Sequence, residues 1–262
     1  MPPQKCDRFR RAPSRRDTRG AVFAALLAAL LPGSAVAVVG GAESSGPLAA
    51  ATVMVLNSRG GVCSGIVLAP DVVLTAAHCV AGREEVRVHF KGPDGAPVLI
   101  APKAVAMHPG YDSGAVAGRR RSIDLALLRV PEPLPARFGA VALASGRPGK
   151  GEAVIVGGYG VSREGDARST GTFRTAELAS VEPYGPSTIL LWAAGQAGRG
   201  ACEGDSGGPV AGPGGSVVAV TIWAAGTGRR GCGAMSQGMF VAAQRGWIDL
   251  TLSGWGRAAD WR

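Results

Sequence analysis

From Ala51 to Ala242 the chain is written in short β-branched and apolar runs, cut by turn residues. Thr52–Leu56, Gly65–Leu68, Val72–Thr75, Val86–Phe90, Val98–Ile100 and Leu125–Val130 form a first set. Ala153–Val156, Phe173–Leu178, Thr188–Trp192, Pro209–Ala211, Val217–Trp223 and Met239–Ala242 form a second. Runs of this length, with no sustained helical period, read as strands. Ala69-Pro70-Asp71 between two of them reads as a hairpin turn. With 41 Gly, 18 Pro and only 5% aromatics, the composition supports strands joined by turns rather than long helices. The fold class is therefore all-β. Pro131-Glu132-Pro133-Leu134-Pro135 interrupts the pattern, so residues 131–150 read as the connection between two halves. A short helix, about Ala242–Leu252, closes the body with Ile248 and Leu252 on one face. Close-spaced short strands favour barrels or sandwiches.

The N-terminus has a different grammar. Seven basic residues lie between Lys5 and Arg19, followed by the unbroken apolar run Ala21–Leu31. Pro32-Gly33-Ser34 breaks that run, and Ala35-Val36-Ala37 is a small-x-small cleavage site. Residues 1–37 thus read as a secretory signal peptide, too short in its apolar part to span a bilayer. Ser14-Arg15-Arg16 lacks the apolar residues that follow a twin-arginine signal. Cleavage after Ala37 starts the mature chain at Val38-Val39-Gly40-Gly41; cleavage after Ala35 with later trimming is the alternative. Export also disposes of much of the net charge of +9, because residues 1–37 carry seven basic and two acidic residues against 21 and 17 in the remainder. Nothing here calls for nucleic acid, and no second segment is long enough for a membrane. Arg119-Arg120-Arg121 and Arg229-Arg230 read as solvated loop charges. Cys6 lies in the leader, and Cys63, Cys79, Cys202 and Cys232 form two pairs close in sequence, as suits an oxidised compartment. Their spacing matches no common zinc pattern.

Chemistry concentrates in Gly204-Asp205-Ser206-Gly207-Gly208-Pro209. A serine on a glycine-rich turn reads either as a surface loop or as a nucleophile with backbone N–H groups aimed at a reacting carbonyl. The second reading needs a base and a carboxylate. Only His78, His89 and His108 are available as bases. His78, in Thr75-Ala76-Ala77-His78-Cys79, is either a structural strand-end histidine or that base. Asp124 opens the apolar run Leu125–Val130 and is costly to bury without a hydrogen-bond partner, which His78 Nδ1–H would supply.

The ordered motifs Val38-Val39-Gly40-Gly41, Thr75-Ala76-Ala77-His78-Cys79, Asp124-Leu125-Ala126-Leu127-Leu128 and Gly204–Pro209 resemble those of the trypsin/chymotrypsin family of serine peptidases. The resemblance covers 38–252 and implies two six-stranded antiparallel barrels, about 38–140 and 150–241, with the site between them. Helix 242–252 and a tail, 253–262, follow. It implies His78 as general base, Asp124 as its orienting carboxylate, Ser206 as nucleophile, and the N–H groups of Gly204 and Ser206 as oxyanion hole. It pairs Cys63 with Cys79 and Cys202 with Cys232, worth roughly 3–4 kcal/mol each in the chain-entropy model. It makes the Val38 amine, once free, the partner of Asp205. Family zymogens carry a basic residue before that cut, whereas here the nearest upstream is Arg19. Signal cleavage itself is then expected to activate the enzyme.

By the same resemblance Gly200 lies at the base of the substrate pocket, with Glu203, Ile222, Trp223, Ala224 and Gly238 around it. Gly200 brings no charge, and the Ala224 methyl stands where glycine usually leaves the pocket open. Medium apolar residues are therefore expected before the scissile bond, with Phe and Tyr next. Ile222 stands where the family usually has a serine hydroxyl beside the aspartate, so Asp124 is expected to lose one hydrogen bond. Protein or peptide substrates, a monomeric state, and no cofactor or metal are expected. The competing class is a non-catalytic binding or antimicrobial protein on the same fold.

Overall fold

The computed structural model describes residues 38–82, 85–118 and 120–262. The leader expected over 1–37 lies outside them. Among the described residues there are fourteen strands: β1 Ala42–Glu43, β2 Thr52–Asn57, β3 Val62–Ala69, β4 Val72–Thr75, β5 Val86–Lys91, β6 Pro97–Ile100, β7 Ala104–Met107, β8 Ala126–Arg129, β9 Ala153–Gly158, β10 Arg174–Val181, β11 Leu190–Ala194, β12 Pro209–Ala211, β13 Val217–Ala225 and β14 Met235–Phe240. Two single-turn helices, α1 Pro47–Ala50 and α2 Ala115–Gly118, precede the terminal α3 Arg245–Gly254.

The strands divide as the sequence divides. The first half is an antiparallel sheet in the order β6-β5-β2-β3-β4-β8-β7. It curls without a pairing between its edge strands among the described residues. In the second half β9-β10-β11-β14-β13-β12 return to β9, closing a six-stranded barrel, and β1 adds to β10. The two-barrel architecture holds, with one barrel closed and its partner open at an edge. Closure removes exposed strand edges, which a short-stranded sheet needs.

Alternation explains the cores. Val53, Val55, Val67, Val73, Val88 and Leu128 fill the first sheet. Val154, Val156, Leu178, Leu191 and Phe240 fill the closed barrel, and Val38 packs with them. A third cluster runs from Ile66, Leu74 and Leu127 to Val220 and Met239, so the two halves share one apolar seam. Each fully buried side chain of this kind contributes roughly 1.5–3 kcal/mol. α3 seals the seam with Ile248 and Leu252, four residues apart and both fully buried, while Leu250 on the opposite face is exposed.

Two strands escape the sequence pattern. β1 is only two residues long. β7 is four residues of an edge strand whose Val105 and Met107 face solvent, so it shows no polar alternation to mark it. β14 starts at Met235, earlier than Met239, because its polar half pairs with β11 and β13 rather than being loop.

The residues after α3 are tied down. Asp71, at the β3–β4 turn, receives Arg257 Nε at 2.7 Å and Arg129 Nε at 3.1 Å. Burial alone would raise the Asp71 pKa, but the hydrogen bonds and charges of Arg257 and Arg129 hold it below the ordinary aspartate value. Leu143 N–H donates to Asp260 O at 2.7 Å and Arg262 N–H to Leu143 O at 2.9 Å. Trp261 Nε1 donates to Asp249 at 2.8 Å, and Arg245 lies 4.8 Å from the Trp261 ring centre. Removing Arg257 leaves the buried Asp71 carboxylate with Arg129 alone. Arg257→Ala is therefore expected to cost about 1–2 kcal/mol, read as a lower midpoint in urea unfolding with activity retained.

Candidate active site

Three elements deliver the polar groups to one cleft of about 770 Å³. His78 comes from a single 3-10 turn, Ala77–Cys79, directly after β4. Cys79 is disulfide-bonded to Cys63 on β3, which fixes that turn to the sheet. Asp124 precedes β8, the neighbour of β4. Ser206 sits on the turn between the Cys202–Cys232 disulfide and β12. His78, Asp124 and Ser206 all line the cleft.

Asp124 holds His78 twice. The His78 amide donates to Asp124 Oδ1 at 2.8 Å, and Nδ1 lies 2.7 Å from Oδ2. A carboxylate only accepts, so Nδ1 carries the proton and Nε2 is left to accept one. The Cys79 sulfur is 3.7 Å from Nε2 and 3.8 Å from the Ser206 carbonyl oxygen, which puts the ring beside the serine turn. Ser206 Oγ and Nε2 share the cleft without a hydrogen bond between them among the described residues. Both hydrogen bonds to Asp124 come from His78. Ile222, in a bulge of β13, supplies an apolar wall where a further donor was expected to be missing.

The serine turn is shaped by close approach. Gly204 and Gly207 have φ of 95° and 83°. A Cβ on Gly207 would collide with Ser64 O and Thr75 Oγ1. Inside the turn, the amides of Asp205, Gly207 and Gly208 donate to Cys202 O, Thr221 O and Asp205 O. The amides of Gly204 and Ser206 have no acceptor among the described residues. These are the two groups assigned above to the oxyanion hole.

Asp205 faces away from the cleft and is fully buried. Its Oδ1 accepts from Gly160 N–H and its Oδ2 from Cys202 N–H, both at 2.9 Å. Burial pushes its pKa up to about 7 against those two hydrogen bonds and the charge of Arg174. Val38 is also fully buried, and Val39 bridges Gly200, whose amide donates to Val39 O at 3.0 Å. Val38 is the non-glycine residue with positive φ, 45°, among the described residues. That is a strained conformation for a β-branched residue inside a chain.

The pocket residues separate on inspection. Glu203, Ile222, Trp223 and Ala224 line the cleft; Gly200 and Gly238 do not. Gly200 is buried one layer down, where a Cβ would lie 3.0 Å from Ser236 Oγ. Ser236 is itself buried, and its Oγ accepts from Ala201 N–H at 2.9 Å. The placement of Gly238 on the wall is corrected by strand parity. Gln237 stands opposite both Trp192 and Trp223 and lines the cleft, so Gly238 points into the barrel against Ala219 and Val210. Sequence reasoning missed Gln237, Trp192 and Ser236; alternation counted from Trp192 on β11 is the signal that would have found the first. Among the described residues, the only set of metal-ligand type is Cys63, His78 and Cys79. Its two sulfurs are joined in a disulfide, so it has no thiolate to offer a metal.

A family model described as Trypsin matches residues 38–247. The chain is 29% identical to Trypsin-3 of Salmo salar over 207 residues, covering 73% of this chain and 83% of that one. It is 31% identical to Trypsin zeta of Drosophila melanogaster over 226 residues, covering 73% and 74%. Among solved structures it is similar to neuropsin, a serine protease expressed in the limbic system of mouse brain. The TM-score is 0.66 at 22% identity, over 81% of this chain and 99% of that one.

Proposed function

The chain belongs to the trypsin family of serine peptidases, and on that premise we propose that it is a secreted endopeptidase working through Ser206, His78 and Asp124. The observation that carries this is the pairing of a base already in the required tautomer with a serine turn whose two free amides are Gly204 and Ser206. His78 Nε2 takes the Ser206 proton as Oγ attacks the carbonyl, and returns it to the leaving amine. Asp124 holds the ring and stabilises its charged form. The Gly204 and Ser206 amides take the developing negative charge; losing one such donor typically costs roughly 3 kcal/mol or more. Water then repeats the sequence on the acyl-enzyme. The protein acts as a monomer on protein or peptide chains, with no cofactor, and is exported. No helix among the described residues is long and apolar enough to cross a membrane.

The side chain before the scissile bond meets Trp223, Ala224 and Gln237, with uncharged Gly200 and the Ser236 hydroxyl beneath. Gly200 and Ser236 place no carboxylate beneath it for Lys or Arg, and Glu164 and Glu203 lie elsewhere in the cleft lining. A panel of peptide para-nitroanilides is expected to rank Leu and Met first, Phe and Tyr next, and Arg at least about tenfold lower in kcat/KM, the scale of a pocket mismatch. A preference for Arg contradicts this.

The proposed activation pairs a freed Val38 amine with Asp205, both residues being buried. In the uncut chain the Val38 nitrogen is an amide and the residue is strained; cutting before it removes the preceding carbonyl, relieves the φ, and creates the ammonium that a buried carboxylate requires. Signal cleavage after Ala37 makes that end directly. Mass determination of the active secreted protein is expected to give Val38 as first residue, and any other start contradicts the scheme.

A further inference from the structure

Ser64, on β3, is fully buried against the serine turn. All its polar groups are in use. Its amide donates to Ser206 O at 2.7 Å, and its carbonyl accepts from Thr75 Oγ1 at 2.7 Å. Its hydroxyl oxygen accepts from Tyr159 N–H at 2.9 Å and lies 3.0 Å from Gly204 O. A carbonyl only accepts, so the hydroxyl proton goes to Gly204 O. One residue of the first half thereby connects the end of β9 to the nucleophile turn of the closed barrel.

The peptide planes of the turn show what this does. The plane carrying the Gly204 N–H is held at its other end, where Glu203 O accepts from Val161 N–H at 2.8 Å. The plane carrying the Ser206 N–H is held by Gly208 N–H on Asp205 O at 2.9 Å. The plane between them is held by Asp205 N–H on Cys202 O at 3.1 Å and by the Ser64 hydroxyl on Gly204 O. Every other hold is backbone to backbone; this last one is a side chain. Gly204 has no Cβ to resist rotation, and its φ of 95° is open to many alternatives. Without the hydroxyl, its buried carbonyl would lack a donor, and rotating the adjacent planes is the available repair. That rotation swings the Gly204 N–H away from the cleft.

We propose that Ser64 is a positioning residue for the oxyanion hole, acting through the Gly204 carbonyl. The inference rests on the peptidase reading above. It touches neither substrate nor His78, so its signature is a loss of transition-state stabilisation with substrate binding preserved.

The test compares Ser64→Ala and Ser64→Cys with wild type, all starting at Val38, on one peptide anilide and one peptide aldehyde whose adduct oxygen occupies the hole. Ser64→Ala is expected to lose at least about tenfold in kcat with KM within about threefold, and to lose aldehyde affinity in proportion to kcat/KM. Ser64→Cys, a weak donor, is expected between the two. The low-field proton signal of His78 Nδ1 is expected to persist, because its partner is Asp124. A kcat within twofold of wild type in Ser64→Ala overturns the inference, as does a loss confined to KM or an unchanged aldehyde affinity. If Ser64→Ala is too unstable to assay, the same ratios in Ser64→Cys decide. An active wild type with an unimpaired variant contradicts this inference alone; an inactive wild type contradicts the peptidase reading beneath it.

Discussion

Ser206→Ala is expected to lower kcat by roughly a million-fold on a peptide anilide while leaving KM and thermal stability nearly unchanged. The size follows from the division of labour in the cleft. Removing Oγ deletes the bond-forming atom and leaves the His78–Asp124 pair, at 2.7 Å, with no proton to move. The amides of Gly204 and Ser206 remain, so roughly a thousandfold acceleration over water is retained from the oxyanion hole and substrate binding. His78→Ala is expected to fall by a similar amount, and the double variant by little more, because the two act as a unit. Stability is spared because Ser206 Oγ holds up no other group among the described residues, whereas its carbonyl and amide are untouched by the change. Steady-state kinetics with active-site titration measures this; additive losses in the double variant would contradict a shared mechanism.

The second large effect concerns the end of the chain. A form with a residue retained ahead of Val38 is expected to be at least about a hundredfold less active and to lose stability as pH rises from acid to neutral. Asp205 in that form has no ammonium partner, and burial pushes its pKa up to about 7 from 3.8. Between those values the folded state binds a proton that the unfolded state has released. Stability therefore falls as pH rises from about 4 to about 7, by on the order of 4 kcal/mol in total, and levels off above. The Val38-starting form should not show this fall, because its ammonium keeps Asp205 charged. Its pair is lost only as pH rises through the pKa of the amine. Urea midpoints at pH 5 and pH 8 for both forms measure the difference. Asp205→Asn in the extended form should abolish the slope; a slope that survives the substitution would assign it to another group.

Much of the fold was legible because short-range signals and long-range needs coincide. β-branched runs such as Thr52–Leu56 and Val72–Thr75 are buried strands in the structure. The Gly204–Pro209 turn announced close backbone approach, and Gly207 lies against Ser64 and Thr75 as such a glycine must. What was not legible depends on parity and on distant partners. A bulge at Ile222 resets the register of β13 against β14, and nothing local to Gly238 says that Gln237 takes the cleft-facing side. β7 pairs only with β8 and exposes apolar residues, so its pattern resembles neither a buried nor a half-buried strand. Ser64 looks like any serine beside a cysteine until Gly204, 140 residues away, is seen to need its proton. The tail is similar: Arg257 acquires meaning only from Asp71.

Reaction of the processed protein with a fluorophosphonate, read by mass spectrometry of its peptides, addresses the serine directly. A single adduct on Ser206, absent in Ser206→Ala and strongly slowed in a form extended ahead of Val38, is the expected result. A correctly processed protein that forms no Ser206-dependent adduct would contradict the catalytic account and leave a binding protein on a peptidase fold.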